Sequence, residues 1–240
     1  MNYGGGGLID SSGEVWSMTH VISPSLRNVK SPIVFDVGAN NGDYTRLAAS
    51  HLPSAHILAF EPSTAAYKVL RNELASNQNI ETLNFGFSNT ERRETLYSYS
   101  IEGNYNSLLS SIDLRRDTQV AEITVSLTEE IQLKTIDSFC NERKIDRIHL
   151  LKMDVEGHEL SVLQGASEML ARDAISIIQF EFGPGNIYSR TFFYDFWTML
   201  SGKYDLFRLI PHGAVPITFY GEHREVFLTN NYLAVSKTNG

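Results

Sequence analysis

The chain has 240 residues, 42% hydrophobic and 20% charged, which suits one soluble domain with a sizeable core. Its formal net charge of −8 argues against tight non-specific binding to nucleic acid, which needs a basic stripe. The single cysteine, Cys140, excludes an internal disulfide and makes a cytoplasmic setting the expectation; no apolar run is long enough for a membrane span, and no leader peptide is expected.

Residues 1–31 read as an N-terminal arm. Gly4 to Gly7 is a flexible tract, and the stretch with Trp16, Met18, His20 and Val21 is expected to lie on a sheet, the alternative being a flap over a ligand. Residues 32–240 form one α/β domain. Ile33 to Val37 is a buried strand with Asp36 near its carboxyl end. Gly38 and Gly42 then make a turn that lets backbone approach a ligand. Asp43 is placed to cap a helix carrying Tyr44, Leu47 and Ala48 on one face. The turn reads D-x-G-x-N-x-G, with Asn40 between the glycines, where a dinucleotide fingerprint wants G-x-G-x-x-G. Asp36 and Asp43 would repel a pyrophosphate but suit a ligand that carries a cation there.

His56 to Phe60 is a second strand, and Glu61-Pro62-Ser63 follows it. Glu61 stands about 25 residues beyond Asp36, where an acid commonly takes ribose hydroxyls. Ser63 is expected to cap a helix with Tyr67, Leu70 and Leu74 on its inner face. Ile80 to Phe85 is a third strand. The loop Gly86 to Asn89, with Phe87 and Ser88, is expected to meet an adenine. Glu94 to Ser100 reads as an extra strand, and residues 101–130 as a polar insertion over the site, with Arg115 and Arg116 either solvated or holding an acidic acceptor. Ile131 to Cys140 returns into a helix capped by Thr135.

His149 to Met153 is a fourth strand in which Lys152, Asp154 and Glu156 alternate onto one side, a costly arrangement unless these groups are paired or functional. Gly157 ends it, and His158 opens the next helix. Ile175 to Phe182 is a fifth strand with Glu181 near its carboxyl end. Thr191 to Leu200 is an aromatic helix expected to pack on the sheet, with Tyr194 or Trp197 available to an acceptor. Tyr204 to Ile210 is a sixth strand, and Val226 to Thr229 and Tyr232 to Val235 supply late strands.

The glycine turn resembles motif I of class I S-adenosylmethionine-dependent methyltransferases. The segment Lys152 to Glu159, with Leu163-Gln164-Gly165-Ala166, resembles the hallmark of the FkbM-type methyltransferase family. The strings Asp36 to Asn40, Phe60-Glu61-Pro62, Ile178 to Glu181 and Asn231 to Val235 are similar to that family too, in its order. The resemblance implies a doubly wound, mostly parallel, seven-stranded Rossmann-like sheet with an antiparallel C-terminal strand. It implies S-adenosylmethionine as cofactor, with S-adenosylhomocysteine as product. The acceptor would be a small molecule or glycan, methylated on a hydroxyl of a sugar, glycan or secondary metabolite, with no nucleic acid as partner. A non-catalytic S-adenosylmethionine-binding module and an N-methyltransferase are the alternatives; the missing third glycine and Asp36 count against an oxidoreductase. The expected cofactor residues are Asp36, Gly38, Asn40, Gly42, Asp43, Tyr44, Glu61, Pro62, Ser63, Phe87, Ser88 and Asp154. His158, Asp154 and Glu181 are candidate bases for a hydroxyl acceptor. Lys152 either pairs with Asp154 or Glu156 or orients the acceptor oxygen. Asp154, Glu156 and Glu181 offer hard oxygens, but no clear ligand pattern appears, and no metal is expected.

Overall fold

The computed structural model describes residues 9, 11–101, 104–112 and 123–239. The arm is helical in three successive turns: α1 (Glu14–Ser17), a π-helical turn (Met18–Ile22) and α2 (Ser23–Leu26). Then follow β1 (Ile33–Val37), α3 (Asp43–His51), β2 (His56–Phe60), α4 (Thr64–Leu74) and β3 (Ile80–Leu83). A second group comprises β4 (Gly86–Phe87), β5 (Arg92–Ile101), β6 (Asn104–Ser111) and β7 (Ile123–Lys134). The chain re-enters the first unit through α5 (Ile136–Arg143), β8 (Ile148–Met153), α6 (Glu159–Gln164), α7 (Ser167–Ala171) and β9 (Ile175–Phe182). It finishes with α8 (Gly185–Ser189), α9 (Phe193–Leu200), β10 (Tyr204–Ile210), β11 (Gly213–Ile217) and β12 (Asn230–Ser236).

The main sheet has eight strands in the order β11-β10-β12-β9-β8-β1-β2-β3. The five strands from β9 to β3 run parallel, and β12 is antiparallel to both β9 and β10. This is the doubly wound, mostly parallel α/β sheet. The apolar runs are continuous because helices cover both faces of parallel strands, so alternate residues on either side are buried. Phe35, Leu58, Leu151, Met153 and Phe180 face α5, α6 and α9 in one core; Val34, Ile57, Leu150 and Ile177 face α3 and the arm in the other, where Met18 and Ile22 are wholly buried.

Four local differences from the sequence reading have physical causes. An eighth strand, β11, hairpins onto β10 and extends the sheet by one edge. Residues 226–229 are not a strand; the last strand begins at Asn230, where pairing with Phe182 starts. Gly42, with φ +88°, occupies the N-cap of α3, and Asp43 is the first helical residue, held by Arg46. Gly86-Phe87 is not a loop but a short strand paired with β7. With β5 and β6, these strands build a second, four-stranded sheet, order β4-β7-β5-β6. Arg115 and Arg116 lie outside the described residues. Thr135 caps α5 through its hydroxyl, which accepts from Ser138 N at 3.1 Å.

Candidate active site

The carboxyl ends of β1, β2, β8 and β9 lie side by side, and ligands of such sheets bind beyond them. After β1 the backbone turns sharply. Gly38 has φ +81°, and a Cβ there would run into the carbonyl oxygen of Asp154. Asn40 is also left-handed, with φ 48°, a region asparagine tolerates. Its amide donates to Glu61 Oε2 at 2.9 Å, while Ser63 N donates to Glu61 Oε1 at 2.8 Å. One carboxylate therefore ties the glycine turn to the loop after β2. Burial pushes the Glu61 carboxyl up from 4.5 to about 7, against the two amide bonds that favour its charge. Each oxygen keeps a lone pair for a further donor. Ser63 occupies the N-cap of α4, but its side chain makes no capping bond; Glu129 of β7 accepts from Thr64 N instead, at 3.1 Å. The glycine cradle and Glu61 fit an adenosine ligand, with Glu61 set to accept from a ribose diol.

Under the turn, register places Asp36, Lys152 and Gln179 in one row across β1, β8 and β9, on the face toward α3 and the arm. All three are almost wholly buried. Lys152 Nζ lies 3.2 Å from Glu14 Oε1 and 3.3 Å from Asp154 Oδ2, and over the Tyr44 ring at 5.1 Å. Burial disfavours its ammonium, but the carboxylates of Asp154, Glu14 and Asp36 more than offset this, and its pKa is raised. Asp36 accepts from Thr45 Oγ1 at 2.5 Å; desolvation lifts it from 3.8 to about 6, with Lys152 and Thr45 pulling the other way. Gln179 receives Ser17 Oγ at 2.9 Å and Tyr44 OH at 3.3 Å, and donates to Glu14 Oε1 at 3.2 Å. Asp36 is 1% exposed and bonded to Thr45 beneath the turn, and Tyr44 points into the same row. Glu14 was missed: the arm offered no periodicity or motif, and only its buried charge beside a buried lysine marks it.

Asp154 is the open end of the row, with its side chain 39% exposed. Its backbone amide continues the β1 pairing by donating to Val37 O at 3.0 Å. The following turn needs left-handed residues at Glu156 (φ 57°) and Gly157 (φ 105°), and Gly157 lies flat against Gly185. Glu159 closes that turn: its Oε1 accepts from Val155 N at 2.9 Å and Gly157 N at 3.2 Å, and burial lifts its carboxyl from 4.5 to about 7. Glu181, two residues past Gln179 on the same face, is half-buried near Asp154, Glu156 and Glu159. Desolvation first, then these three charges, push its pKa well above 4.5. Asp154 and Glu181 are thus brought together at neighbouring strand ends, with Lys152 beneath. Among the described residues, no three His, Cys, Asp or Glu side chains are grouped so as to hold a metal ion.

His158 faces elsewhere. Its Nε2 is 2.9 Å from Ser88 Oγ, which also accepts from Arg92 Nη1 at 2.9 Å. Burial and the Arg92 charge lower its pKa from 6.5 to about 4, so the ring is neutral at pH 7. The side chains of the loop expected to meet an adenine turn inward in the same geometry. Ser88 is fully buried in this cluster, and Phe87 is 2% exposed in an aromatic core with Phe35, Phe60, Phe85 and Phe139.

The chain matches the Methyltransferase FkbM domain over residues 36–209. It belongs to the FkbM methyltransferase family. S-adenosylmethionine is the cofactor of that family, and the cradle and Glu61 fit its adenosine. Methyltransferase sdnD of Sordaria araneosa is 31% identical over 159 residues, 58% of this chain and 61% of that protein. The 2-O-methyltransferase NoeI of Sinorhizobium fredii is 22% identical over 152 residues, 62% of this chain and 63% of that protein. A third relative, the antimetabolite synthetase AmbE of Pseudomonas aeruginosa, is far longer: 28% identity extends over 65% of this chain but 8% of that protein. The chain spans less than two thirds of each of these relatives. The crystal structure of SMU.1697c from Streptococcus mutans, in complex with SAH, aligns with TM-score 0.46 and 9% identity over 89% of this chain and 94% of that one.

Proposed function

We propose that the protein transfers a methyl group from S-adenosylmethionine to a hydroxyl of a sugar, glycan or other secondary metabolite. The observation that carries this reading is Glu181, a half-buried carboxyl brought beside Asp154 at the carboxyl end of the sheet, with its pKa raised well above 4.5 by desolvation and by neighbouring acids. A neutral hydroxyl is a poor nucleophile, and an amine acceptor would need a base less. The relative NoeI, a 2-O-methyltransferase, supports the same choice.

S-adenosylmethionine brings a methyl group already activated on a sulfonium. The chain's own residues do the rest. Gly38, Asn40 and Glu61 hold the adenosine end. Glu181 accepts the proton of the acceptor hydroxyl at its carboxylate oxygen. Lys152, charged and buried, holds Asp154 in place. Alignment and exclusion of water supply much of the barrier reduction, so no further reactive group is required. Glu181 is preferred to His158 as the base because the Nε2 of His158 is committed to Ser88 and its basicity is depressed.

The test has two stages. Calorimetric titration with S-adenosylmethionine and S-adenosylhomocysteine should give micromolar-scale binding, about −8 kcal/mol, that Glu61→Ala removes. Transfer of labelled methyl to a panel of hydroxylated acceptors should then fall about 10²-fold in kcat in Glu181→Gln, the usual worth of a general base, and much less in His158→Ala. A folded protein that binds neither cofactor form refutes the reading.

A further inference from the structure

Five of the eight large hydrophobic side chains that stand exposed among the described residues fall in one region: Ile187, Phe192, Tyr194, Phe219 and Leu228 are each 51–59% exposed. They sit on α8, on α9 and its N-cap, and in the loop 218–229 that precedes β12. Scattered exposed apolar groups are ordinary; a gathered set marks a binding surface.

The surface is held rigid. Glu225 accepts from Phe193 N at 2.7 Å, Tyr194 N at 2.9 Å and Tyr220 OH at 2.8 Å, so one carboxylate pins the loop to the start of α9. Tyr194 meets Tyr220 at 4.8 Å between ring centroids, Phe192 meets Phe227 at 6.2 Å, and Arg224 lies over Phe219 at 5.3 Å. The surface is also continuous with the candidate site. Phe227 meets Phe182 at 5.2 Å on the α9 face of β9, the face opposite Glu181, and the connection to the site runs round the strand end, where a Cβ on Gly183 would touch Thr229. Two residues on, Gly185 lies against Gly157. At the inner end the chemistry turns polar. Asn231 is the cross-strand neighbour of Glu181, so their side chains share a face, and its buried Oδ1 has no partner among the described residues. The buried Nδ2 of Asn186, on α8, has none either.

We infer that this surface is the apolar half of the acceptor site, and that the acceptor is amphipathic: a hydroxylated head presented to Glu181 and Asn231, carried on an alkyl or acyl chain that lies along Phe192, Phe219 and Leu228. The inference rests on the proposed methyl transfer and narrows its acceptor. A rigid apolar wall beside a polar floor binds such a molecule without an ordering cost on the protein side.

The probes are octyl β-glucoside, kept below its micellar concentration, and methyl β-glucoside, each titrated into the S-adenosylhomocysteine-loaded protein. The octyl compound should bind at least about tenfold more tightly, the gain from burying roughly two methylenes. The double variant Phe192→Ser with Phe219→Ser, both exposed positions, should abolish that preference while S-adenosylhomocysteine affinity stays within about twofold of the wild type. If S-adenosylhomocysteine binds but chain length has no effect, or the variant keeps the preference, the inference is overturned and the proposed function stands. Failure of S-adenosylhomocysteine to bind defeats the proposed function itself, and the inference with it. A wild type that sediments as a dimer and a variant that sediments as a monomer, with no octyl preference, assign the surface to a second copy of the chain and also overturn the inference.

Discussion

Lys152 is 2% exposed, yet it carries its charge between Glu14 and Asp154 with Asp36 close by. Burying an ammonium is expensive, and removing one member of a buried pair leaves the other uncompensated. Lys152→Met should therefore cost about 3–5 kcal/mol in urea unfolding, and adding Glu14→Gln should cost less than the sum of the two single changes, because the second charge no longer has a partner to lose. Additive losses would mean that the two groups do not interact. Glu61 offers a second test. Its carboxyl sits at about 7 in the free protein, raised from 4.5 by burial, so near neutrality it is partly protonated. Ribose hydroxyls donate to the ionised form, so binding selects the deprotonated state and releases protons at and below pH 7. S-adenosylhomocysteine affinity should tighten as the pH rises through about 7 and then level off, and Glu61→Gln should flatten the profile. Calorimetry in two buffers of different ionisation enthalpy reads the released proton directly; a profile unchanged in the variant would place the proton on another group.

At the level of elements, each turn at the carboxyl end of the sheet is set by backbone conformation. Gly38 shows this most plainly: its φ of +81° is strained for any side chain, and a Cβ would occupy the space of the Asp154 carbonyl. Gly38→Ala should push β1 and β8 apart at their ends and weaken S-adenosylhomocysteine binding by more than about tenfold, with a stability loss of about 1–3 kcal/mol. Gly202→Ala, where nothing lies within 4 Å of the added methyl group, is the matched control and should change neither. This turn was legible in the sequence because a tight turn after an apolar strand calls for glycines, and Glu61, singled out by its distance from them, is found bonded to the Asn40 amide of that turn. Glu181 and Asp154 were legible as acids at strand ends. Gly86-Phe87 was misread as a loop because local sequence does not tell whether residues after a strand stay open or pair with a distant element. Here β7 pairs with Gly86-Phe87 and turns both Phe87 and Ser88 inward. His158 was placed correctly at the helix start, but its orientation toward Ser88 and Arg92 depends on the second sheet, which is distant in sequence.

The whole molecule is larger than the stretch that matches the family. That stretch ends at residue 209, inside β10, yet β10 does not touch β9; β12 lies between them. The sheet therefore closes only when residues 230–236 return and insert, antiparallel to both neighbours. The amino end matters in a different way. It lies outside the matched stretch, and its sequence carried no motif that singled out Glu14, but it covers one face of the sheet and carries Glu14 to Lys152. Met18 and Ile22 are wholly buried and Leu26 is 4% exposed. At about 1.5–3 kcal/mol for each fully buried side chain, these three contribute about 5–9 kcal/mol, which is comparable with the entire stability of a typical domain, about 5–15 kcal/mol. Gly13 allows the entry: at φ +85°, with a Cβ otherwise against Ile210 O, it turns the chain under the edge of β10 and into α1. A chain beginning at residue 27 should accordingly lose its near-ultraviolet circular dichroism and its cooperative melt. A synthetic peptide of residues 9–30 added in trans should restore both, because the arm's contacts are side chains docked on a preformed sheet face and need no covalent link. The same peptide with Glu14→Gln should restore folding less well, since it fills the apolar groove but leaves Lys152 short of a counter-charge. A truncated chain that melts cooperatively at the temperature of the full chain would show that the arm adds nothing to the fold.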